Sequence, residues 1–328
     1  MKKVLIIQTA FIGDVILATP LVSELVSKYP QIEIDFLVRK GNDSLLANQP
    51  NVKTVYTLDK KQGKFKQILH FVKTFRQNKY DEIINLHRFA SSGIITILSK
   101  AKKTVGFNKN PLSLFYNLKI NHEIGNGEHE IVRNLKLIKH HGCSLDAQPK
   151  LYPSNSDYEF VKKYKEKTYY CLAPSSVWFT KQLPEEKWVE LINLLNEQET
   201  VYLLGGPGDK QLCDRIISIS QHSNCINLAG ELTFLQSSAL MVDAKMNYVN
   251  DSGPLHICSA MNAPVSAFFC STTPLFGFGP TRPNGKVIET EYKLDCKPCG
   301  LHGHKACPKG HFKCGYKINL NKALSYDK

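Results

Sequence analysis

Several signals are missing from this 328-residue chain, and each absence narrows the problem. No apolar run reaches the roughly 20 residues that cross a bilayer as a helix. No G-x-G-x-x-G follows the first strand-like run and no G-x-x-x-x-G-K-[ST] occurs anywhere, so a dinucleotide-binding dehydrogenase and a P-loop enzyme lose their phosphate-binding signatures. No Asp-x-Asp pair stands on a polar loop where it could hold a metal–diphosphate. Short-period repeats and low-complexity segments are absent. Basic residues form no block; they are dispersed in stretches such as "DKKQGKFKQ" and "VKKYKEK", the usual appearance of a solvated surface.

What is present is ordinary globular composition, 42% hydrophobic and 22% charged, long enough for two domains with a large core. The net charge of +13 favours an anionic partner: nucleic acid, an acidic membrane surface or a phosphorylated substrate. The start, "MKKVLIIQTAFIGDVILATP", has the look of a signal peptide, but Gln8 and Asp14 interrupt its apolar stretch and it fits a first strand and helix better. A cytoplasmic protein is expected. Of ten cysteines, Cys143, Cys171, Cys213, Cys225, Cys258 and Cys270 are scattered, mostly inside apolar runs, and read as reduced core residues.

Short apolar strands alternate with helical patterns throughout. "KVLIIQ" leads to a helix over 15–28, then "IEIDFLV", "VKTVYTL", a helix around "FKQILHFVKTFRQN", "YDEIINLH" and "KTVGF". The pattern restarts at "YYCLAPSS" and runs through "TVYLLGGPGD", "CINLAG", "MNYVNDSG" and "PVSAFFC". This predicts α/β architecture, two Rossmann-like doubly wound domains with a cleft between them, and a seam in "DAQPKLYPSNSDYEF" that separates residues 1–152 from 153–328.

In such sheets ligands gather beyond the carboxyl ends of strands, and polar residues recur there. Asp14 follows the first strand, as a helix N-cap, as a chemical group, or as both. In "NYVNDSGPLHICSA", Pro254 suits the first position of a helix, Gly253 admits close backbone approach, and the amides of Ser252 and Gly253 would favour phosphate. Asp251 could accept bonds from sugar hydroxyls, and His256 could bind a ligand or merely pack. In "APSSVWFTKQLPEEKW", Ser175 and Ser176 offer hydroxyls, and Lys181 could neutralise charge on a departing diphosphate or remain an ordinary solvated lysine. Asp209, ending "LLGGPGD", could accept a ribose hydroxyl or cap the next helix.

These pieces in this order resemble glycosyltransferase family 9, the bacterial heptosyltransferases of the lipopolysaccharide inner core. The matching residues are "IGDVILATP", "YDEIINLH", "APSSVWFTKQLPEEKW", "LLGGPGD", "LAGELTFLQ" and "NDSGPLHICSAMNAPVSAFFCSTTPLFGFGP". The tail "CKPCGLHGHKACPKGHFKC" looks most like that of the enzymes adding the second heptose, heptosyltransferase II. The resemblance implies a GT-B pair of domains, with the acceptor on residues 1–152 and the nucleotide-sugar donor on 153–328. It also implies inverting, metal-independent transfer from an ADP-heptose to a lipid A–Kdo or heptosylated core acceptor, at the inner face of the inner membrane, with no cofactor required. Asp14 then matches the catalytic base and Lys181 the diphosphate-binding lysine. Ser175, Ser176, Asp209, Asp251, Ser252, Gly253 and His256 match donor-binding positions. Two residues depart from the pattern: Leu183 where tryptophan is common and Cys270 where glycine often stands, changes expected to reshape the sugar pocket. Some members of the family transfer other sugars, so a different nucleotide-hexose donor is an alternative.

Cys296, Cys299, Cys307 and Cys314, with His302, His304 and His311 among them, form C-x2-C-x7-C-x6-C. This spacing admits structural zinc, although the second pair is too wide for a ribbon knuckle; reduced, packed thiols are the competing reading. A rival from another class is a basic nucleic-acid-binding protein with a zinc-holding tail. It suits the charge and the cysteines, but the sequence shows no aromatic-interleaved basic stripe.

Overall fold

The computed structural model describes residues 1–59, 61, 63–281 and 285–324. The chain divides into two compact units. The first comprises Met1–Ile124 and Glu128–Tyr152; the second runs from Pro153 onward and takes in Gly125–Gly127.

In the first unit, strands β1 (Lys3–Gln8), β2 (Glu33–Arg39), β3 (Val52–Leu58), β4 (Glu82–Asn85), β5 (Lys103–Phe107) and β6 (Leu118–Ile120) form one sheet in the order β3-β2-β1-β4-β5-β6. The second unit repeats the plan. Its strands β7 (Tyr169–Ala173), β8 (Thr200–Leu203), β9 (Cys225–Asn227), β10 (Met246–Asn250), β11 (Val265–Phe268) and β12 (Gly285–Ile288) lie in the order β12-β11-β10-β7-β8-β9. All pairings are parallel. Runs such as Val4–Ile7 and Tyr169–Ala173 are buried along their whole length, as strands covered by helices on both faces must be. Strand order reverses between β1 and β4 in one unit and between β7 and β10 in the other. These are the two topological switch points.

The expected helix over 15–28 is two helices, Ile12–Ile16 and Pro20–Lys28. Pro20 has no N–H for the Ile16 carbonyl, and its ring crowds that group. The Thr19 hydroxyl donates to this carbonyl instead, at 2.8 Å. Pro254 is likewise the second residue of its helix, Gly253–Met261, rather than the first.

The first core contains Leu5, Ile7, Phe71, Phe75 and Tyr80, with Phe71 and Phe75 stacked at 5.4 Å. Burying a side chain such as Phe75 stabilises by about 1.5–3 kcal/mol. In the second core Trp188 meets Phe268 edge-on at 5.3 Å. Phe312, Cys314, Ile318 and Leu320 of the tail join this core. The cysteine-rich segment is thus an integral layer of the second unit. All ten cysteines are free thiols; Cys171, Cys213, Cys258 and Cys270 are buried, Cys143 and Cys225 partly so. Among the described residues no helix is long and apolar enough to cross a membrane.

Candidate functional site

Around the β7/β10 switch point, Asn250 organises the backbone. It closes β10, is fully buried, accepts from the Leu183 amide at 2.9 Å and donates to the Pro174 carbonyl at 2.8 Å. The loop after β7 is thereby tied to the end of β10. Asp251 follows, 4% exposed. Its Oδ2 accepts from Thr272 Oγ1 at 2.6 Å and lies 2.8 Å from Lys181 Nζ. Asp251 is the one ion-pair partner of Lys181 among the described residues, and the pair is largely removed from water. An ammonium in a low-dielectric pocket acts far more strongly on an incoming anion than one at the surface.

Ser252 is the extended residue before the helix Gly253–Met261, and His256 is buried in that helix's first turn with its ring 6.3 Å from Phe278. Ser175 and Ser176 lie half-buried just beyond β7, where the Ser176 carbonyl accepts from Gln182 Nε2 at 2.6 Å. Beyond β8, Asp209 Oδ2 accepts from the Gly206 amide at 2.7 Å, closing the glycine turn. Gly205 must lack a side chain there, because a Cβ would sit 2.7 Å from that of Asp209. The chain therefore brings Lys181, Asp251, Ser252, Gly253, Ser175 and Ser176 to one switch point, with Asp209 at the neighbouring strand end.

Sequence reasoning missed the support behind Lys181. Thr180 Oγ1 accepts from Ser271 Oγ at 3.0 Å and from the His304 amide at 2.8 Å, while the Thr180 amide donates to the His304 carbonyl at 3.1 Å. The Cys299 amide donates to the Ser271 carbonyl at 2.7 Å. Gly303, at φ +74°, passes so close that a Cβ would lie 2.9 Å from Thr180 Oγ1 and 3.1 Å from Lys181 Cγ. The cysteine-rich tail is the wall against which Lys181 stands. A glycine between two histidines hinted at a tight turn, but nothing local named its neighbour. Leu183 and Cys270 are both buried in the second hydrophobic core.

In the first unit Asp14 is the third residue of its short helix, not the N-cap. Its Oδ2 accepts from the Phe11 amide at 3.1 Å, and the residue is half-buried. Phe11 itself is 52% exposed. Across the β1/β4 switch point, Thr9 Oγ1 and His87 Nδ1 are 2.8 Å apart, the His87 carbonyl accepts from Asn110 Nδ2 at 2.9 Å, and the His87 ring packs on Phe89 at 4.7 Å. These polar residues were not singled out in the sequence.

The tail thiols do not assemble a metal-ligand set. Cys296 Sγ is 3.9 Å from His311 Nε2, but among the described residues no three ligand atoms of the tail lie within 4.8 Å of one another. Burial pushes the Cys299 thiol up, and the nearby Cys296 and Cys307 push it further.

Two parallel doubly wound units make a GT-B type of architecture, and the model for glycosyltransferase family 9 (heptosyltransferase) matches residues 68–307. The chain belongs to that family and is a glycosyltransferase. It is 27% identical over 281 residues to lipopolysaccharide heptosyltransferase 3 of Escherichia coli, covering 81% of this chain and 83% of that protein. The structure of E. coli ADP-heptose LPS heptosyltransferase II aligns with a TM-score of 0.78 at 20% identity, over 99% of this chain and 100% of that one. The glycosyl transferase family 9 protein of Veillonella parvula aligns with a TM-score of 0.79 at 19% identity, over 88% and 86%. Membership in an enzyme family replaces the nucleic-acid-binding alternative.

Proposed function

We propose that this protein transfers a heptosyl group from ADP-heptose to a lipid A–Kdo or heptosylated acceptor of the lipopolysaccharide inner core, with inversion and without a catalytic metal. The observation that carries the reading is the buried Lys181–Asp251 pair at the β7/β10 switch point. A leaving ADP develops charge on its terminal phosphate, and a positioned cation lowers that barrier. Lys181 is held for this purpose by Asp251 in front and the tail behind. The amides of Ser252 and Gly253, with the hydroxyls of Ser175 and Ser176, complete the phosphate cradle. Asp209 retains Oδ1 for a ribose hydroxyl, since its Oδ2 serves the Gly206 amide. His256 is buried in the first turn of the helix that supplies the amides. With Lys181 and these donors in place, the departing diphosphate is neutralised by the protein itself.

Asp14 is assigned the acceptor proton. As the acceptor oxygen attacks the anomeric carbon, its O–H bond breaks toward the carboxylate while the carbon–oxygen bond to ADP breaks on the opposite face. The first unit holds the acceptor and the second the donor. The relatives named heptosyltransferases support the sugar, and the charge of +13 suits both a phosphate-rich acceptor and peripheral binding at the inner face of the inner membrane.

The test is transfer by the purified protein from ADP-heptose to Kdo–lipid A and to heptosylated core, in chelator, read by mass spectrometry for the added mass and by proton NMR for the anomeric configuration. A product heavier by one heptose with a single inverted anomeric signal is expected. Transfer only from another nucleotide-hexose would replace the donor, and transfer that requires an added divalent cation would overturn the metal-free chemistry.

A further inference from the structure

The amino edge of the first sheet carries a cluster that the transfer reaction does not use. Glu82, the first residue of β4, is 2% exposed, and each of its carboxylate oxygens faces a different imidazole. His140 Nε2 lies 3.1 Å from Oε1 and His141 Nε2 lies 2.9 Å from Oε2. One ligand atom from each of the three residues falls within 4.8 Å of the other two. The imidazoles are 3.9 Å apart between centroids and tilted by 43°. Consecutive histidines reach the same carboxylate because they end a tight helical turn, Lys139–His141, that Gly142 closes at φ 74°.

We propose that Glu82, His140 and His141 form a binding site for a divalent cation of the zinc class, with a fourth position open to water. Three observations support this. First, the spacings are those of a metal's donor set. Ligands about 2.0–2.2 Å from a tetrahedral ion stand roughly 3.4 Å apart, so modest outward movement of the imidazoles admits the ion. Second, Glu82 Oε1 accepts no hydrogen bond although it is buried and His140 Nε2 is close, so that nitrogen is not donating to it. Third, Tyr29 OH lies 3.1 Å from His141 Nδ1, its ring meeting the imidazole edge-on at 5.5 Å. With Nδ1–H donating to that hydroxyl the ring is fixed, and Nε2, which otherwise meets Glu82 Oε2 at 2.9 Å, has its lone pair for the metal.

Lys103, opposite Glu82 in β5, adds positive charge to the neighbourhood. That disfavours calcium and magnesium, which depend on carboxylate charge, more than an ion bonded by neutral imidazoles. Because β4 begins at Glu82, the cluster lies at the edge of the sheet opposite Asp14, which follows the carboxyl end of β1. The cation would pin the His140–His141 turn to the sheet, a role in stability rather than in transfer.

The experiment uses full-length protein purified without a histidine tag, stripped with chelator and titrated with zinc alone. One equivalent is expected to bind through nitrogen and oxygen only in the zinc X-ray absorption spectrum, and to raise the melting temperature. His140→Ala and Glu82→Gln should abolish binding, and Tyr29→Phe should weaken it by at least about tenfold. A Cys296→Ser/Cys299→Ser variant should bind zinc unchanged. Absence of stoichiometric zinc, a sulfur shell in the absorption spectrum, or binding lost with the cysteines but kept in His140→Ala would each overturn the proposal. The spectrum of unaltered protein decides the matter even where a Glu82 variant does not fold.

Discussion

Each unit buries a cation beside a carboxylate, and the two pairs are finished differently. In the first unit Arg133 is fully buried. Its Nε donates to Glu130 Oε2 at 2.6 Å, and its Nη1 donates to the carbonyls of Glu123 and Glu128 at 3.1 and 2.5 Å. Glu130 also receives His122 Nε2 at 3.1 Å. In the second unit Lys181 has Asp251 as its one ion-pair partner among the described residues, and its side chain retains 17% exposure. The same chemical pairing thus serves two ends. A guanidinium whose donors are taken up by fixed carbonyls is part of the scaffold, whereas an ammonium with one partner and an open side can turn to a phosphate. The carboxyl edge of the first sheet carries Thr9, His87 and Asn110 instead of a buried ion pair.

The contrast breaks if the scaffold pair can be removed cheaply. Arg133→Met should cost about 3–5 kcal/mol in denaturant unfolding, because it strands a buried carboxylate. Burial acts to raise Glu130, but His122 and Arg133 outweigh it and hold the carboxyl below its usual 4.5. A depressed folded value means the stabilisation is complete above about pH 4.5 and is lost as pH falls further. Unfolding free energy measured down to acid pH should decline less steeply in Glu130→Gln.

Lys181→Ala should cost less in unfolding free energy than Arg133→Met, because Thr272 still donates to Asp251, yet lower turnover by about 10²–10³-fold. It should also weaken ADP binding in calorimetry, because Asp251 then faces the diphosphate unneutralised. A large fall in stability with intact ADP affinity would make Lys181 scaffold like Arg133. Asp14→Asn separates base from helix cap, since an amide oxygen can still accept from the Phe11 N–H. Turnover should fall at least about a hundredfold with ADP-heptose affinity retained; turnover close to wild type would return Asp14 to the helix terminus. The smallest effect is expected from Gly303→Val. Forcing a branched Cβ at φ +74° against Thr180 and Lys181 should destabilise by about 1–3 kcal/mol and weaken ADP binding, with the first unit's scaffold untouched.

Much of the fold was legible because its signals are local. Continuous apolar runs bounded by turn residues marked buried parallel strands, and the restart at Tyr169 marked a second sheet. The residues at the switch points were legible for the same reason: they follow strand ends. Where reading along the chain went astray, a single local conflict decided it, as when Pro20 divided the first helix. Partners were not legible. Nothing near Lys181 announces Asp251, and nothing in "GLHGHK" announces Thr180.

Composition and pattern by themselves determined two doubly wound units and which turns carry polar groups, because strand burial and helix periodicity are encoded over a few residues. Tertiary structure alone decided which of those groups meet. Crossovers place β7 beside β10 and bring the turn Lys139–His141, which lies well beyond β6 in the chain, to the start of β4. Such neighbours are set by strand order and the packing of whole layers, and so no window of adjacent residues contains them.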